Sequence, residues 1–129
     1  MANTVRESIA VLKDETMKLT EVVKSLHLSV RSGEDRLDQA VTGGYAGDLL
    51  SDVIANSKAG NVWITMQVHV NIVAVAVLKD LAGIIIVQGR QPSEETLKKA
   101  KEEKVAIVVS DAPAFETAGR LYTLVDGSS

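Results

Sequence analysis

Residues 42–51 have the sequence Thr-Gly-Gly-Tyr-Ala-Gly-Asp-Leu-Leu-Ser, and the fold is organised around them. The residues before them, Leu37 to Thr42, are predicted to form a strand that ends where the glycines begin. Glycine permits positive φ and close backbone approach, so Gly43, Gly44 and Gly47 predict a tight loop. The stretch therefore indicates a strand, a glycine loop and the start of a helix.

The helix after the loop is predicted from Leu49 to Ser57, with Asp48 as its N-cap. A glycine loop before a helix can hold an anion on free N–H groups. Any tight strand-to-helix connection needs the same residues, so the pattern favours a purely structural role over anion binding.

The composition indicates one α/β domain. The chain has 129 residues, and 46% of them are apolar, which is enough for one sizeable core. Aromatic residues are few, so Val, Ile, Leu and Ala must build that core, as in α/β packing. The net charge is −3 and no basic stripe is present, which argues against binding to nucleic acid.

The sequence offers little support for a metal site, a disulfide or a membrane-spanning segment. The chain has no cysteine, which excludes disulfides and thiolate ligands, and His27 and His69 are too few for a zinc site. We expect no metal and no cofactor. The apolar run from Ile72 to Val87 is interrupted by charged residues and is too short to span a bilayer, so a soluble, cytoplasmic protein without membrane contact is expected.

Alternating strand and helix patterns follow the glycine loop. The strands that begin at Val62, Ile84 and Val105 have nearly constant spacing, which predicts parallel strands joined by helical crossovers. The expected architecture is a three-layer α/β/α fold with a mostly parallel central sheet. The predicted helices span residues 20–27, 49–57, 72–82, 93–104 and 113–124, and the predicted strands span residues 28–30, 37–42, 62–65, 84–87 and 105–110.

The segment 72–82 has an ambiguous pattern. Val73 to Val77 alternates like a strand, but the length and the flanking Asn71 and Gly83 suit a capped helix, which is our prediction. The segment is apolar on nearly every side. We therefore expect the sheet or a partner subunit to bury it on more than one side.

Polar residues follow the predicted strands at their carboxyl ends, where open parallel sheets bind ligands. Arg90 is the best candidate for gripping an anion, and His69 is a candidate general base, although both also suit ordinary surface positions. The loop lacks the G-x-G-x-x-G pattern and the Gly-Lys-Ser/Thr ending of a P-loop. The candidate ligand-binding residues are Thr42, Gly43, Gly44, Gly47, Thr65, His69, Arg90 and Ser110; no catalytic residue is predicted.

Several separated motifs resemble the DRTGG domain family. They are residues 41–53, then Trp63-Ile64-Thr65, residues 69–76 and Ala114-Phe115-Glu116, in this order. Thr42-Gly43-Gly44 match the naming pattern and Asp38 precedes them, but no arginine is adjacent to Thr42. The resemblance covers roughly residues 17–125, leaving residues 1–16 as an extension with a weak helix and 126–129 as a flexible tail.

The resemblance implies an α/β/α domain similar to the amino-terminal domain of HPr kinase, which also occurs beside CBS domains. Such domains are regulatory or assembly modules without established catalytic activity. We therefore expect a non-catalytic regulatory or interaction domain that forms a homodimer and senses a small anionic ligand or a partner protein. The alternative is an enzyme that binds a metabolite or nucleotide at the strand ends.

Overall fold

A computed structural model of the chain describes residues 16–127. Five strands within this range form one sheet in the order β1-β5-β4-β3-β2. Strand β1 is antiparallel to β5, and the other neighbours are parallel. The strands are β1 (Ser29–Ser32), β2 (Gly43–Ala46), β3 (Asn61–Thr65), β4 (Gly83–Ile86) and β5 (Ile107–Val109).

Helices cover both faces of the sheet and confirm the predicted three-layer α/β/α fold. Helices α1 and α5 contact each other on one face, and α2, α3 and α4 pack in sequence on the other. No helix of the described range is long and apolar enough to cross a bilayer. The helices are α1 (Leu19–Leu26), α2 (Leu50–Asn56), α3 (Asn71–Lys79), α4 (Glu94–Glu103) and α5 (Ala114–Gly127).

Alternation along the central strands divides the core into two clusters. Val62 and Ile64 point toward α1 and α5, whereas Trp63 points toward α2 and α3. Successive side chains of a strand face opposite sides, so a strand covered by helices on both faces is buried throughout and mostly apolar. All five residues of β3 are buried.

The predicted strand from Leu37 to Thr42 is wrong. A short 3-10 helix (Glu34–Arg36) precedes that region, which itself contains a turn at residues 37–38 and an isolated antiparallel bridge between Lys18 and Ala40. The glycines themselves form β2, in parallel register with β3 from Gly43 opposite Asn61 to Ala46 opposite Ile64. Residues predicted as a loop are therefore an outer strand of the sheet.

The cap predicted for Asp48 is also wrong. The N-cap of α2 is Leu49, which makes no side-chain cap bond. The Asp48 carboxylate accepts hydrogen bonds from the end of β3 instead of capping the helix. The last helix runs to Gly127, two residues into the predicted tail. The weak helix predicted within residues 1–16 falls almost entirely outside the described residues.

The helix predicted over residues 72–82 is confirmed as α3, which ends at Lys79 with Asp80 in the left-handed conformation. Its apolar surface is largely hidden by the chain itself. Ile72, Val73, Val75 and Ala76 are buried, whereas Val77 is 48% exposed and Leu78 is 66% exposed. A partner subunit is therefore not needed to cover most of this helix.

Candidate functional site

The strand-end rim, which we define as the loops following β2, β3, β4 and β5, is held together by internal hydrogen bonds. Asp48 Oδ1 accepts from the Thr65 hydroxyl at 2.8 Å and from the Met66 N–H at 2.7 Å. Gln67 Nε2 donates to the Asp48 carbonyl at 3.0 Å. The rim beside Gly47 therefore has its polar groups engaged within the chain.

The other end of the rim is similarly closed. The hydroxyls of Ser110 and Thr117, both buried, lie 3.0 Å apart, and Ser110 Oγ accepts from the Ala112 N–H. The Gly89 N–H donates to the Ser110 carbonyl at 2.8 Å. Ser110 thus joins β5 to the start of α5 and presents no free hydroxyl to solvent.

His69 and Arg90 are exposed on the rim, where they were predicted. Neither side chain lines the two grooves described below. Residues 16–127 contain no group of three or more histidine and acidic side chains suited to a metal ion. The rim therefore offers two exposed polar side chains, His69 and Arg90, rather than an assembled pocket.

Thr42 and Gly43 lie at the amino ends of the parallel strands, whereas the rim lies at their carboxyl ends. Because β2 begins at Gly43, both residues sit beside the amino end of β3. Thr42 Oγ1 donates to the Ala59 carbonyl at 2.9 Å, and Asn61 Nδ2 donates to Thr42 Oγ1 at 3.3 Å. The structure thus separates Thr42 and Gly43 from Thr65, His69, Arg90 and Ser110.

The glycine strand instead lines a groove along one side of α5, which we call the β2–α5 groove. It has a volume of about 670 Å³, within the range of roughly 300–1,000 Å³ found for small-molecule sites. Phe115 is 93% exposed and Tyr122 is 69% exposed at its wall. The lining residues are Thr42, Gly43, Gly44, Tyr45, Ala46, Ile64, Phe115, Ala118, Gly119, Leu121, Tyr122, Val125 and Asp126.

Gly44 brings α5 close to the sheet. A Cβ atom at this position would lie 2.8 Å from Leu121 Cδ2, closer than real Cβ contacts allow. Leu121 is buried beneath the helix and belongs to the core cluster on this face. The glycine therefore allows α5 to pack directly on β2, which shapes the groove.

Two side-chain hydrogen bonds hold β2 on the face of the sheet that α2 covers. Trp63, fully buried, donates its indole N–H to the Gly47 carbonyl at 2.8 Å. The Tyr45 hydroxyl donates to the Asp52 carboxylate of α2. This hydrogen bond, followed by desolvation and the negative charge of Asp52, raises the pKa of Tyr45.

A second, shallower groove of about 620 Å³ lies between α1 and α5. Phe115 borders both grooves and stands on the ridge between them. Arg120 and Glu116, which also line the second groove, form an exposed ion pair at 2.8 Å. The exposed face of α5 thus has an apolar ridge at Phe115 beside the charged pair of Arg120 and Glu116.

Sequence reasoning identified the glycines but missed Phe115, Leu121 and Tyr122 as their neighbours across the groove. Phe115 was noted only within the motif Ala114-Phe115-Glu116, and Tyr122 lay within the predicted helix 113–124 without a role. No spacing rule connects β2 with residues more than seventy positions later. The available signal was the pair of glycines, because glycine within a strand often marks a close approach of another element.

Comparison with family models found none that matches the chain, and no curated protein matches it. A solved structure of the CBS and DRTGG domains of the regulatory region of Clostridium perfringens pyrophosphatase, complexed with the activator diadenosine tetraphosphate, is similar with a TM-score of 0.68. The sequence identity is 18%, and the match covers 92% of this chain and 52% of that chain. The present chain spans about half the length of its neighbour. The likeness confirms the DRTGG-like fold.

Proposed function

We propose, from a fold shared with a pyrophosphatase regulatory region, that this chain is a non-catalytic regulatory domain that senses a small anionic ligand of the nucleotide class. The observation that carries the proposal is the β2–α5 groove, which combines a suitable volume with exposed aromatic walls. Stacking of a base on an aromatic side chain contributes about 1–3 kcal/mol. The base enters the groove and the phosphates extend into solvent.

The charges at the groove favour this orientation. Among residues 16–127, Asp126 is the charged side chain that lines the groove, and no lysine or arginine of this range lines it. A phosphate group would therefore gain nothing by entering it. The base of the ligand supplies the affinity. The edge of the base that faces β2 contacts the polar backbone groups of that strand.

A thermal-shift series tests the groove with adenosine, adenosine monophosphate, diadenosine tetraphosphate and inorganic phosphate. A ligand at 100 times its dissociation constant adds about 2.7 kcal/mol of stability. We expect the adenosine-containing compounds to raise the melting temperature and inorganic phosphate to have no effect. Tyr122→Ser should abolish the shift, whereas Leu78→Ser, at an exposed site outside the groove, should retain it.

The opposite pattern would support the alternative function at the strand-end rim. A shift with inorganic phosphate that disappears in Arg90→Ala would place the ligand beside Arg90 and His69. It would favour an anion-binding or enzymatic role for the rim over the groove. The absence of a shift with every compound would contradict the ligand-sensing proposal.

We also propose that the chain forms a homodimer through α5. Phe115 is the most exposed large apolar side chain of residues 16–127, and α3 leaves less apolar surface than its sequence suggests. Closed two-fold dimers are the commonest homo-oligomers. Sedimentation equilibrium should give twice the chain mass, reduced to the chain mass by Phe115→Glu and unchanged by Leu78→Glu. A monomeric wild-type chain would contradict the dimer.

A further inference from the structure

The outer edge of β2 carries backbone groups that point away from the rest of the sheet. Within residues 16–127, β2 is the last strand of the sheet and pairs with β3 alone. The Gly47 N–H donates to the Ile64 carbonyl of β3 at 3.0 Å. Successive residues of a strand direct their backbone groups to opposite sides, so Tyr45 also faces β3, whereas Gly44 and Ala46 face outward.

The outward groups form a regular series along this edge. Gly44 and Ala46 each present one N–H and one C=O, so donors and acceptors alternate. Both residues are exposed. The unpaired edge of a sheet binds a partner that offers the complementary donors and acceptors, as another strand does. The β2 edge is therefore a hydrogen-bonding surface that needs no polar side chain.

The same two residues line the β2–α5 groove. A Cβ atom on Gly44 would lie 2.8 Å from Leu121 Cδ2, so this residue faces α5. Ala46 faces the same side, because it is two positions farther along the strand. The hydrogen-bonding edge of β2 therefore borders the groove, and a ring that lies in the groove can extend one of its own edges toward it.

The side-chain hydroxyls on the β2 wall of the groove are already engaged. Thr42 Oγ1 donates to the Ala59 carbonyl and accepts from Asn61 Nδ2. The Tyr45 hydroxyl donates to the Asp52 carboxylate. The backbone edge of β2, rather than these hydroxyls, is therefore available to hydrogen-bond a ligand in the groove.

We propose that the backbone of Gly44 and Ala46 recognises the base of the ligand. The Gly44 carbonyl accepts a hydrogen bond from the exocyclic amino group of adenine, and the Ala46 N–H donates to the adjacent ring nitrogen. Tyr122, on the α5 wall, stacks on the face of the ring. This inference rests on the proposed function and narrows its ligand class to flat rings that carry a donor beside an acceptor.

Two nucleosides test this recognition in the unaltered full chain. Adenosine has the amino donor beside a ring nitrogen, whereas purine riboside lacks the amino group and adds no bulk. Both rings can stack on Tyr122, so the hydrogen bond to the Gly44 carbonyl is what differs between them. Isothermal titration calorimetry should give a dissociation constant for purine riboside that is roughly tenfold higher, the effect of one lost hydrogen bond.

Ala46→Pro tests the donor on the protein side. Proline removes the N–H and is tolerated in an edge strand where that N–H faces solvent. We expect the dissociation constant of adenosine to rise roughly tenfold. Ser29→Pro, at the exposed first residue of β1 on the other edge of the sheet, is the matched control and should leave this constant unchanged. Far-ultraviolet circular dichroism reports whether each variant keeps the fold.

Amide hydrogen exchange gives a second measurement in the wild-type chain. Without ligand, the Ala46 amide should exchange rapidly, whereas the Tyr45 amide, which faces β3, should exchange slowly. Saturating adenosine should slow exchange of the Ala46 amide by roughly tenfold or more, because its N–H then has a partner.

The outcomes separate this inference from the proposed function. Equal dissociation constants for adenosine and purine riboside would overturn recognition by the β2 edge and leave the base in the groove. Slow exchange of the Ala46 amide without ligand would also overturn it, because that N–H would already be paired. No binding of adenosine would overturn both the inference and the proposed function. The nucleoside comparison uses the unaltered chain, so it decides even if Ala46→Pro fails to fold.

Discussion

The two edges of the sheet are built differently. At the β1 edge the strand is antiparallel, its register shifts between Val30 and Ser32, and Arg31 is held by a hydrogen bond to Gln91. At the β2 edge the strand is parallel, in unbroken register from Gly43 to Ala46, and uncharged. A charge and an irregular register discourage pairing with another chain. Only the β1 edge has both of these protections within residues 16–127.

The two edges are also anchored by different physical means. Ser32 is buried, and its hydroxyl donates to the Val105 carbonyl at 2.9 Å and accepts from the Ile107 N–H at 3.1 Å. On the face of β2 that α5 covers, the anchor is the close packing of Gly44 against Leu121. The difference teaches that β1 is fixed to its neighbouring strand by a buried hydroxyl, whereas β2 is fixed to α5 by the absence of a side chain.

The largest effect is expected at the β1 edge, from Gly33→Val. Gly33 has φ +79°, and a Cβ atom would lie 2.5 Å from the Ala106 Cα. Both the left-handed conformation and the backbone contact exclude a branched side chain, so the loss of stability should exceed about 3 kcal/mol. Urea unfolding measures it. A loss below about 1 kcal/mol, typical of any point change, would show that β1 can move away from Ala106.

Ser32→Ala should have the next largest effect. It removes a hydroxyl that satisfies two buried backbone groups, those of Val105 and Ile107. Leaving a buried polar group unsatisfied costs about 1–3 kcal/mol. The free energy of unfolding, measured in urea, should fall by that amount. A fall no larger than that of Ser29→Ala, at an exposed position of the same strand, would contradict the polar anchor.

Gly44→Ala tests the anchor of β2 and should cost about 1–2 kcal/mol, because the added methyl overlaps the end of the flexible Leu121 side chain. Gly119→Ala is the matched control, since a Cβ there meets no atom within 4 Å and alanine in a helix gains about 0.5–1 kcal/mol. Thermal unfolding should lower the melting temperature of the first variant and raise that of the second. Equal shifts of the melting temperature in the two variants would contradict the close packing of Gly44 against Leu121.

The smallest effect concerns ionisation at the β2 edge. Hydrogen bonding to Asp52 raises the pKa of Tyr45, so any stability from this bond is present below the ordinary tyrosine pKa and is lost as the pH rises through the raised value. Asp52→Asn should lower the pKa of Tyr45. Ultraviolet titration in a Tyr122→Phe background follows Tyr45 alone. An unchanged titration would mean that the bond does not persist in solution.

The central strands and the helices between them were predictable because their patterns are local. Strands β3, β4 and β5 are short apolar runs, and helix α3 has the length and flanks of a helix. Strand β2 was missed because Gly43 and Gly44 have low strand propensity. Its pairing comes from register with β3, and its glycines from contact with Leu121, which are both properties of the assembled fold.

The candidate site was predicted only in part. Thr42, Gly43 and Gly44 were identified from the glycine pattern, and they do line a groove, but its other wall comes from α5. His69 and Arg90 lie on the rim as expected, yet they are separated from the groove. Residue spacing shows which side chains end a strand; it does not show which helix packs over the strand.

The bond between Trp63 and Gly47 gives the β2 edge a built-in optical reporter. Trp63 is the single tryptophan of the chain and is fully buried, so its fluorescence arises from one site with one hydrogen-bond partner. Detachment of the end of β2 would break that bond and admit water to the indole, which shifts the emission to longer wavelength. Movement at this edge can therefore be followed in the unlabelled protein, separately from global unfolding observed by far-ultraviolet circular dichroism.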